Sequence, residues 1–331
     1  MENIIEIKNL NTFFYTNKGI VKAVNDLDLA IEKGKTVCLV GESGCGKSVT
    51  ALSIMRLIQT PPGKIVSGEI LLNGENLLQC TDQQMRSIRG EKISMIFQEP
   101  MTSLNPVFKI GEQIAEVYIT HHGLNKKESM EKSVEMLKLV GIPAPEKRIN
   151  DYPHQLSGGM RQRVMIAMAL ASPKPLLLIA DEPTTALDVT IQAQILKLMK
   201  ELQDKIGVSI LLITHDMGVV SQMADKVVVM YAGKKVEQAL ADKLFGSPMH
   251  PYTIGLLDSI PGNKKYRGAK RLSTIEGTVP NLVQLNSGCP FFNRCKFVQP
   301  VCEDKFPEEK KFGDSHSVYC HFAGELGTPK N

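Results

Sequence analysis

The 331-residue sequence has no apolar run long enough to cross a membrane. Its longest are short, such as Leu176–Ala180, against the roughly 20 residues a spanning helix needs. It has no strong excess of one charge: 39 Lys and Arg stand against 35 Asp and Glu, a net +4, too little to imply nucleic-acid binding. The opening Met1-Glu-Asn-Ile-Ile-Glu6 lacks a basic region followed by an apolar stretch. No signal peptide is therefore expected, and the chain is expected to stay in the cytoplasm. No internal repeat, low-complexity tract or heptad run is present. What remains is ordinary globular composition, 43% hydrophobic and 22% charged, which excludes disorder and collagen-like fibres. The length suits about two domains.

Seven cysteines are spread unevenly. Cys38, Cys45 and Cys80 are scattered, whereas Cys289, Cys295, Cys302 and Cys320 crowd the end of the chain. In a cytosolic protein such a cluster points to a metal site rather than disulfides.

Hydrophobic periodicity predicts strands over the first 40 residues, where Ile5 and Ile7 alternate with polar neighbours and Thr36–Val40 is continuously apolar. Asn73-Gly74 predicts a tight hairpin turn. From about 108 to 172 the period becomes helical, as at Met130, Val134, Leu137 and Val140 and again over Met160–Ala171. Strand-like runs return at Leu176–Ala180, Val208–Thr214 and Val227–Tyr231, with an amphipathic helix carrying Ile191, Ile195, Leu198, Leu202 and Ile206 between them. Strands alternating with helices predict an α/β fold with a parallel sheet. After 236 prolines punctuate the chain and order is expected to weaken. Lys264, Lys265, Arg267, Lys270 and Arg271 read as a solvated basic loop.

Gly41-Glu42-Ser43-Gly44-Cys45-Gly46-Lys47-Ser48, followed by Val49, fits G-x-x-x-x-G-K-[ST] between an apolar strand and a helix. A triphosphate needs converging backbone N–H groups, and glycines let the chain curl that closely. The helix offers its positive end, Lys47 reaches the β- and γ-phosphates, and the Ser48 hydroxyl suits Mg²⁺. Cys45 occupies an unrestricted position in this pattern. Leu176–Ala180 then delivers Asp181 and Glu182. Strand alternation aims adjacent acids in different directions, so Asp181 suits the Mg²⁺ shell and Glu182 the polarisation of water attacking the γ-phosphate.

Gln155-Leu-Ser-Gly-Gly-Met-Arg-Gln-Arg163 precedes a helix and the Asp181-Glu182 pair. Here the chain resembles the ATP-binding cassette (ABC) ATPases that power membrane transporters. Their signature matches Leu156–Met160, their Q-loop glutamine Gln98, their D-loop Thr185–Asp188 (with threonine where serine is commoner) and their switch histidine His215. The resemblance implies a P-loop NTPase core with a mixed sheet, a head-to-tail dimer, and two ATPs between one subunit's phosphate loop and the other's Ser157, Gly158 and Gly159. Asp188 would lie with the nucleotide, His215 would contact the γ-phosphate, and Gln98 would join the Mg²⁺ shell to the transporter contact surface. Phe14 aligns best with the aromatic that stacks on adenine, with Tyr15 the alternative.

Met101-Thr-Ser-Leu-Asn-Pro106, Asp151–Gln155, Thr190–Gln194 and His250-Pro-Tyr-Thr253 narrow the resemblance to the dipeptide/oligopeptide importer ATPases, a group that includes nickel importers. It implies a cassette over 1–240 with a helical subdomain at about 100–170, and a small irregular extension over 241–331. The implied partners are a second related ATPase, two transmembrane permeases and an extracytoplasmic peptide-binding protein, with this subunit at the cytoplasmic face of the membrane. A soluble cassette ATPase working on nucleic acid or the ribosome is the rival. Those typically join two cassettes or insert a coiled coil, and neither is present here.

The tail spacing, Cys289-x₅-Cys295-x₆-Cys302-x₁₇-Cys320, lacks the short C-x₂₋₄-C pairs of structural zinc. A 4Fe-4S cluster tolerates wider spacing, so it is expected here, with Zn²⁺ the alternative. Some peptide-importer ATPases carry such a cluster in this tail, so the resemblance points the same way. A cluster would staple a tail too small for its own core.

Overall fold

The computed structural model describes residues 2–98, 103–172, 175–185, 187–260 and 274–325. The basic stretch at 264–271 lies outside these, as do Met101, Thr102 and Ala186 of the motifs above. The principal elements are β1 (Asn3–Thr16), β2 (Gly19–Glu32), β3 (Thr36–Val40), α1 (Lys47–Ile54), β4 (Gly63–Leu72), β5 (Glu75–Asn76), α2 (Asp82–Glu91) and β6 (Ile93–Ile96). There follow α3 (Ile110–His122), α4 (Lys126–Leu139), α5 (Gly158–Leu170), β7 (Leu177–Asp181), α6 (Val189–Ile206), β8 (Ser209–Thr214) and α7 (Met217–Met223). The last are β9 (Lys226–Tyr231), β10 (Lys234–Leu240), α8 (Ala241–Gly246), α9 (Pro251–Asp258), β11 (Lys310–Lys311) and β12 (Ser317–Val318). No described helix is long and apolar enough to cross a membrane.

The chain divides into two compact units. One comprises Ile5–Ala30, Thr36–Asn76 and Thr214–Asn331. It contains an antiparallel pairing of β1 with β4, running from Ile5 opposite Leu72 to Phe14 opposite Gly63. The alternation read from the sequence holds over Ile5–Lys8, with Ile5 and Ile7 buried, Glu6 half-buried and Lys8 exposed; it breaks at Asn9, φ 47, where the register with β4 shifts. The predicted hairpin forms between β4 and β5, with Asn73 at φ 48 and Gly74 at φ 81. In the same unit β3 pairs in parallel with β9, and β9, β10, β12 and β11 continue antiparallel. All five residues of β3 are buried, the pattern of a strand covered on both faces.

The other unit comprises Met1–Ile4, Ile31–Lys35 and Leu77–Ile213. Its strands β6, β7 and β8 are parallel, as alternation with helices predicts. The helical stretch resolves into α3, α4 and α5. Asn125 and Glu128 cap α4 reciprocally, and Ser129, Ser133 and Leu137 form its buried face.

Two expectations are corrected. Ile206 is 38% exposed rather than part of the buried face of α6, because the helix stops there at Gly207, φ 79. Leu196 and Met199 join Ile195, Leu198 and Leu202 in the face instead. Order does not lapse at 236 either, since β10 runs to Leu240 and α8 and α9 follow.

Candidate active site

In the first unit β3 runs into the glycine loop and the loop into α1. Gly46 precedes the helix at φ 107 as its N-cap and makes no side-chain cap hydrogen bond, so the helix N-terminus suits an anion. A Cβ at Gly46 would lie 2.2 Å from the Ala23 carbonyl oxygen, and one at Gly41 2.2 Å from that of Met230. Only glycine allows this approach. Lys47 is 5% exposed, and its Nζ donates to the carbonyls of Gly41 at 2.8 Å and Glu42 at 3.0 Å. The ammonium thus lies folded over the loop. Ser43 and Gly44 are exposed, Glu42, Ser48 and Val49 half-buried, and Cys45 buried, which pushes its thiol up.

His215, exposed, follows β8 directly, where Asp216 caps α7 by accepting from the N–H groups of Gly218 and Val219. Phe14 and Tyr15 end β1. Phe14 is half-buried opposite Gly63, whereas Tyr15 is 49% exposed with its N–H bound to the Pro62 carbonyl.

In the second unit β7, buried throughout, ends at Asp181, which is 4% exposed. Glu182 turns out of the strand at φ 47, its N–H donating to the Ile213 carbonyl at 2.9 Å. Its Oε2 accepts from Gln98 Nε2 at 3.1 Å and Thr185 Oγ1 at 3.0 Å. Ser157 is the N-cap of α5, accepting from the Met160 N–H at 3.4 Å, with Gly158 and Gly159 in the first turn. Asp188 caps α6 through the Ile191 N–H at 2.9 Å.

The structure therefore gathers Gly41–Val49 with Lys47 in one unit and joins Gln98 to Glu182 in the other. Sequence reasoning missed Thr185 as a donor to Glu182. It had registered only as a departure from serine, although either hydroxyl can donate.

The four tail cysteines are free and line one pocket, walled by Phe291, Phe292, Phe297 and Phe322. Burial pushes the Cys289 thiol up to about 12, that of Cys295 to about 11, and that of Cys320 upward. Among the described residues no group of three or more His, Cys, Asp or Glu is placed to hold a metal ion. The four thiols thus converge on one pocket without, among the described residues, the geometry of a metal-ligand set.

A strand, a glycine loop and a helix around a folded-over lysine define a P-loop nucleoside triphosphatase; the acidic pair at the end of β7 belongs to the other unit. A model of the ABC transporter family matches residues 24–185, and one of the oligopeptide/dipeptide transporter C-terminal region matches 236–302. The chain is 51% identical to the oligopeptide transport ATP-binding protein AppD of Bacillus subtilis (strain 168) over the full length of both. It is 50% identical to the dipeptide transport ATP-binding protein DppD of the same organism, over 97% of this chain and 95% of that one. Among solved structures it is similar to the dimeric post-hydrolysis state of the ATP-binding cassette MJ0796 bound to ADP and Pi. That likeness has 28% identity and a TM-score of 0.64, covering 72% of this chain and 98% of the other. The chain belongs to the ATP-binding cassette transporter family, in its oligopeptide/dipeptide group.

Proposed function

We propose that this chain is the ATP-binding and ATP-hydrolysing subunit that energises import of di- or oligopeptides, working as a nucleotide-sandwich dimer with a related ATPase. The observation that carries this reading is identity of about 50% to peptide-transport ATP-binding proteins across cassette and tail together. Nickel import is not favoured by these relatives. The cassette spans 1–240 and the extension 241–331, a boundary supported by the C-terminal family match beginning at 236. The partners are two transmembrane permeases and an extracytoplasmic peptide-binding protein, with this subunit peripheral at the cytoplasmic face.

Lys47 and the N–H groups of Gly41–Val49, other than those of Glu42 and Cys45 that already bond within the protein, hold the phosphates, and Phe14 or Tyr15 stacks on adenine. Ser48, Gln98 and Asp181 would hold Mg²⁺, which would supply charge neutralisation of the triphosphate. The α1 N-terminus and the Ser48 hydroxyl in its first turn suit that donor set. Glu182 accepts hydrogen from the attacking water, oriented by Gln98 and Thr185. His215 contacts the γ-phosphate, while Ser157, Gly158, Gly159 and Asp188 serve the partner's nucleotide.

Cys289, Cys295, Cys302 and Cys320 would hold a 4Fe-4S cluster, which would staple the tail. What supports this is the donor set: four thiols facing one aromatic-walled pocket, and a cubane wider than any single ion. Zn²⁺ remains the alternative centre.

The test of the transport reading is reconstitution in vesicles with the two permeases and the related ATPase. Peptide uptake that requires ATP and stops with Lys47→Ala is expected. Uptake of nickel but not peptide would overturn the substrate.

A further inference from the structure

The tail reaches the phosphate loop directly. Arg294, between Cys289 and Cys295, turns its guanidinium onto Glu42: Nη1 donates to Oε2 at 2.6 Å and Nη2 to Oε1 at 3.0 Å. This is the two-pronged geometry in which arginine matches a carboxylate. The arginine side chain is only 5% exposed. Its other donors are used as well, Nε on the Glu276 carbonyl at 2.8 Å and Nη1 also on the Tyr231 hydroxyl at 3.2 Å. The guanidinium lies 5.8 Å from the ring centres of Tyr231 and Phe291.

Glu42 is also held by its backbone. Its N–H donates to the hydroxyl of the fully buried Tyr252 at 2.8 Å, and its carbonyl accepts from Lys47 Nζ. Tyr252 belongs to the His250-Pro-Tyr-Thr253 segment, to which the ATP motifs give no role. One residue of the loop is therefore gripped by the tail at its side chain and by α9 at its N–H, while its C=O holds the lysine.

Two consequences follow for a triphosphate. Loop N–H groups bind best when their peptide planes are already fixed, because ordering them on binding costs affinity. Glu42 is moreover the one carboxylate between Gly41 and Ser48. Without a counter-charge it would repel the phosphates.

We propose that Arg294 is a positioning residue for nucleotide binding, fixing the phosphate loop through Glu42 and neutralising the carboxylate there, so that the tail is part of the ATP-binding machinery. This rests on the reading of Gly41–Ser48 as the ATP phosphate loop.

The test is the Kd of Mg-ATP, with kcat and KM, in the full chain carrying Arg294→Ala, Arg294→Lys, Glu42→Gln, or Arg294→Ala with Glu42→Gln. Arg294→Ala should raise Kd and KM about tenfold, between the limits for exposed and buried pairs, with kcat largely kept. Arg294→Lys keeps the charge but loses the fork, so a smaller rise is expected. The double variant should bind ATP better than Arg294→Ala, because the repelling carboxylate is gone. A merely structural role would lower Tm without moving Kd and would give no such rescue. Unchanged Kd in Arg294→Ala, while Lys47→Ala loses ATP, overturns the inference and leaves the loop reading intact. Retained ATP binding in Lys47→Ala overturns the loop reading itself. Should Arg294→Ala fail to fold, unchanged Kd in both Arg294→Lys and Glu42→Gln overturns the inference equally.

Discussion

Gln98 donates from Nε2 to the carboxylate of Glu182 at 3.1 Å, across 84 residues of sequence. Thr185 donates to the same oxygen at 3.0 Å, and the backbone of Glu182 is turned to φ 47 directly after the buried β7. If this carboxylate, aimed by two donors beside a second acid in the strand, is the general base, it would accept a proton from the attacking water. Glu182→Gln keeps the shape and removes the base. It is expected to bind Mg-ATP normally, to lower turnover by at least about a hundredfold, and to accumulate a nucleotide-bound dimer. Phosphate release together with size-exclusion chromatography checks this. Turnover at the wild-type rate would show that the catalytic carboxylate lies elsewhere.

Ser157 caps α5 with its side chain exposed, beside the exposed Gly158. A helix N-terminus presented this way would offer a second anion-binding device, in addition to that of α1. If the two act from different subunits, mixing Lys47→Ala chains with Ser157→Arg chains should recover part of the ATPase activity that each lacks. The mixed dimer then has one intact site and one doubly damaged site. Absence of recovery, with mixed dimers demonstrated by differential tags, would count against shared sites.

The ATP motifs were legible because their chemistry demands particular residues at short spacing. The glycine loop, the acidic pair at the end of β7 and the Asn73-Gly74 turn each announce themselves within eight residues or fewer. β10 was not legible. Its sequence carries Lys235, 7% exposed, and Glu237, fully buried, which break any apolar pattern. Partners distant in sequence make this tolerable: Glu237 accepts from the Met249 and His250 N–H groups and pairs with His316 at 2.7 Å. Arg294 and Glu42 stand 252 residues apart, and nothing periodic marks either. Polar pairs of this kind are decided by tertiary contact, which local patterns do not encode.

His250 gives the fold a dependence on pH. It is buried, and its Nδ1 accepts from the Tyr252 N–H, which requires a neutral ring. Burial holds it well below the ordinary 6.5, at about 4, against the opposing pull of Glu237. The unfolded chain therefore binds the proton more readily, and stability is lost as pH falls from 6.5 to about 4. The loss is on the order of 3 kcal/mol when complete. His250→Asn can still cap α9 and does not titrate, so its denaturation midpoint should fall less steeply over this window. Parallel slopes for the two proteins in urea titrations would remove His250 from the account.

The four tail cysteines face one pocket, and burial raises the Cys289 and Cys295 thiols to about 12 and about 11. Thiols so disfavoured as thiolates must surrender protons to a metal centre, and such a centre would in return fix the tail segments that carry them. Protein purified without air is expected to be brown and to contain about four iron and four sulfide per chain. Replacing Cys302, which is itself buried, by serine should abolish the colour and make the tail sensitive to protease. Nucleotide should still bind, more weakly if the tail's hold on Glu42 through Arg294 is loosened. Stoichiometric zinc in colourless anaerobic protein would replace the cluster but keep its ligands. Protein free of any metal, with a tail as protease-resistant as before, would mean that the aromatic packing of Phe291 against Tyr231 and Tyr252 holds this segment by itself.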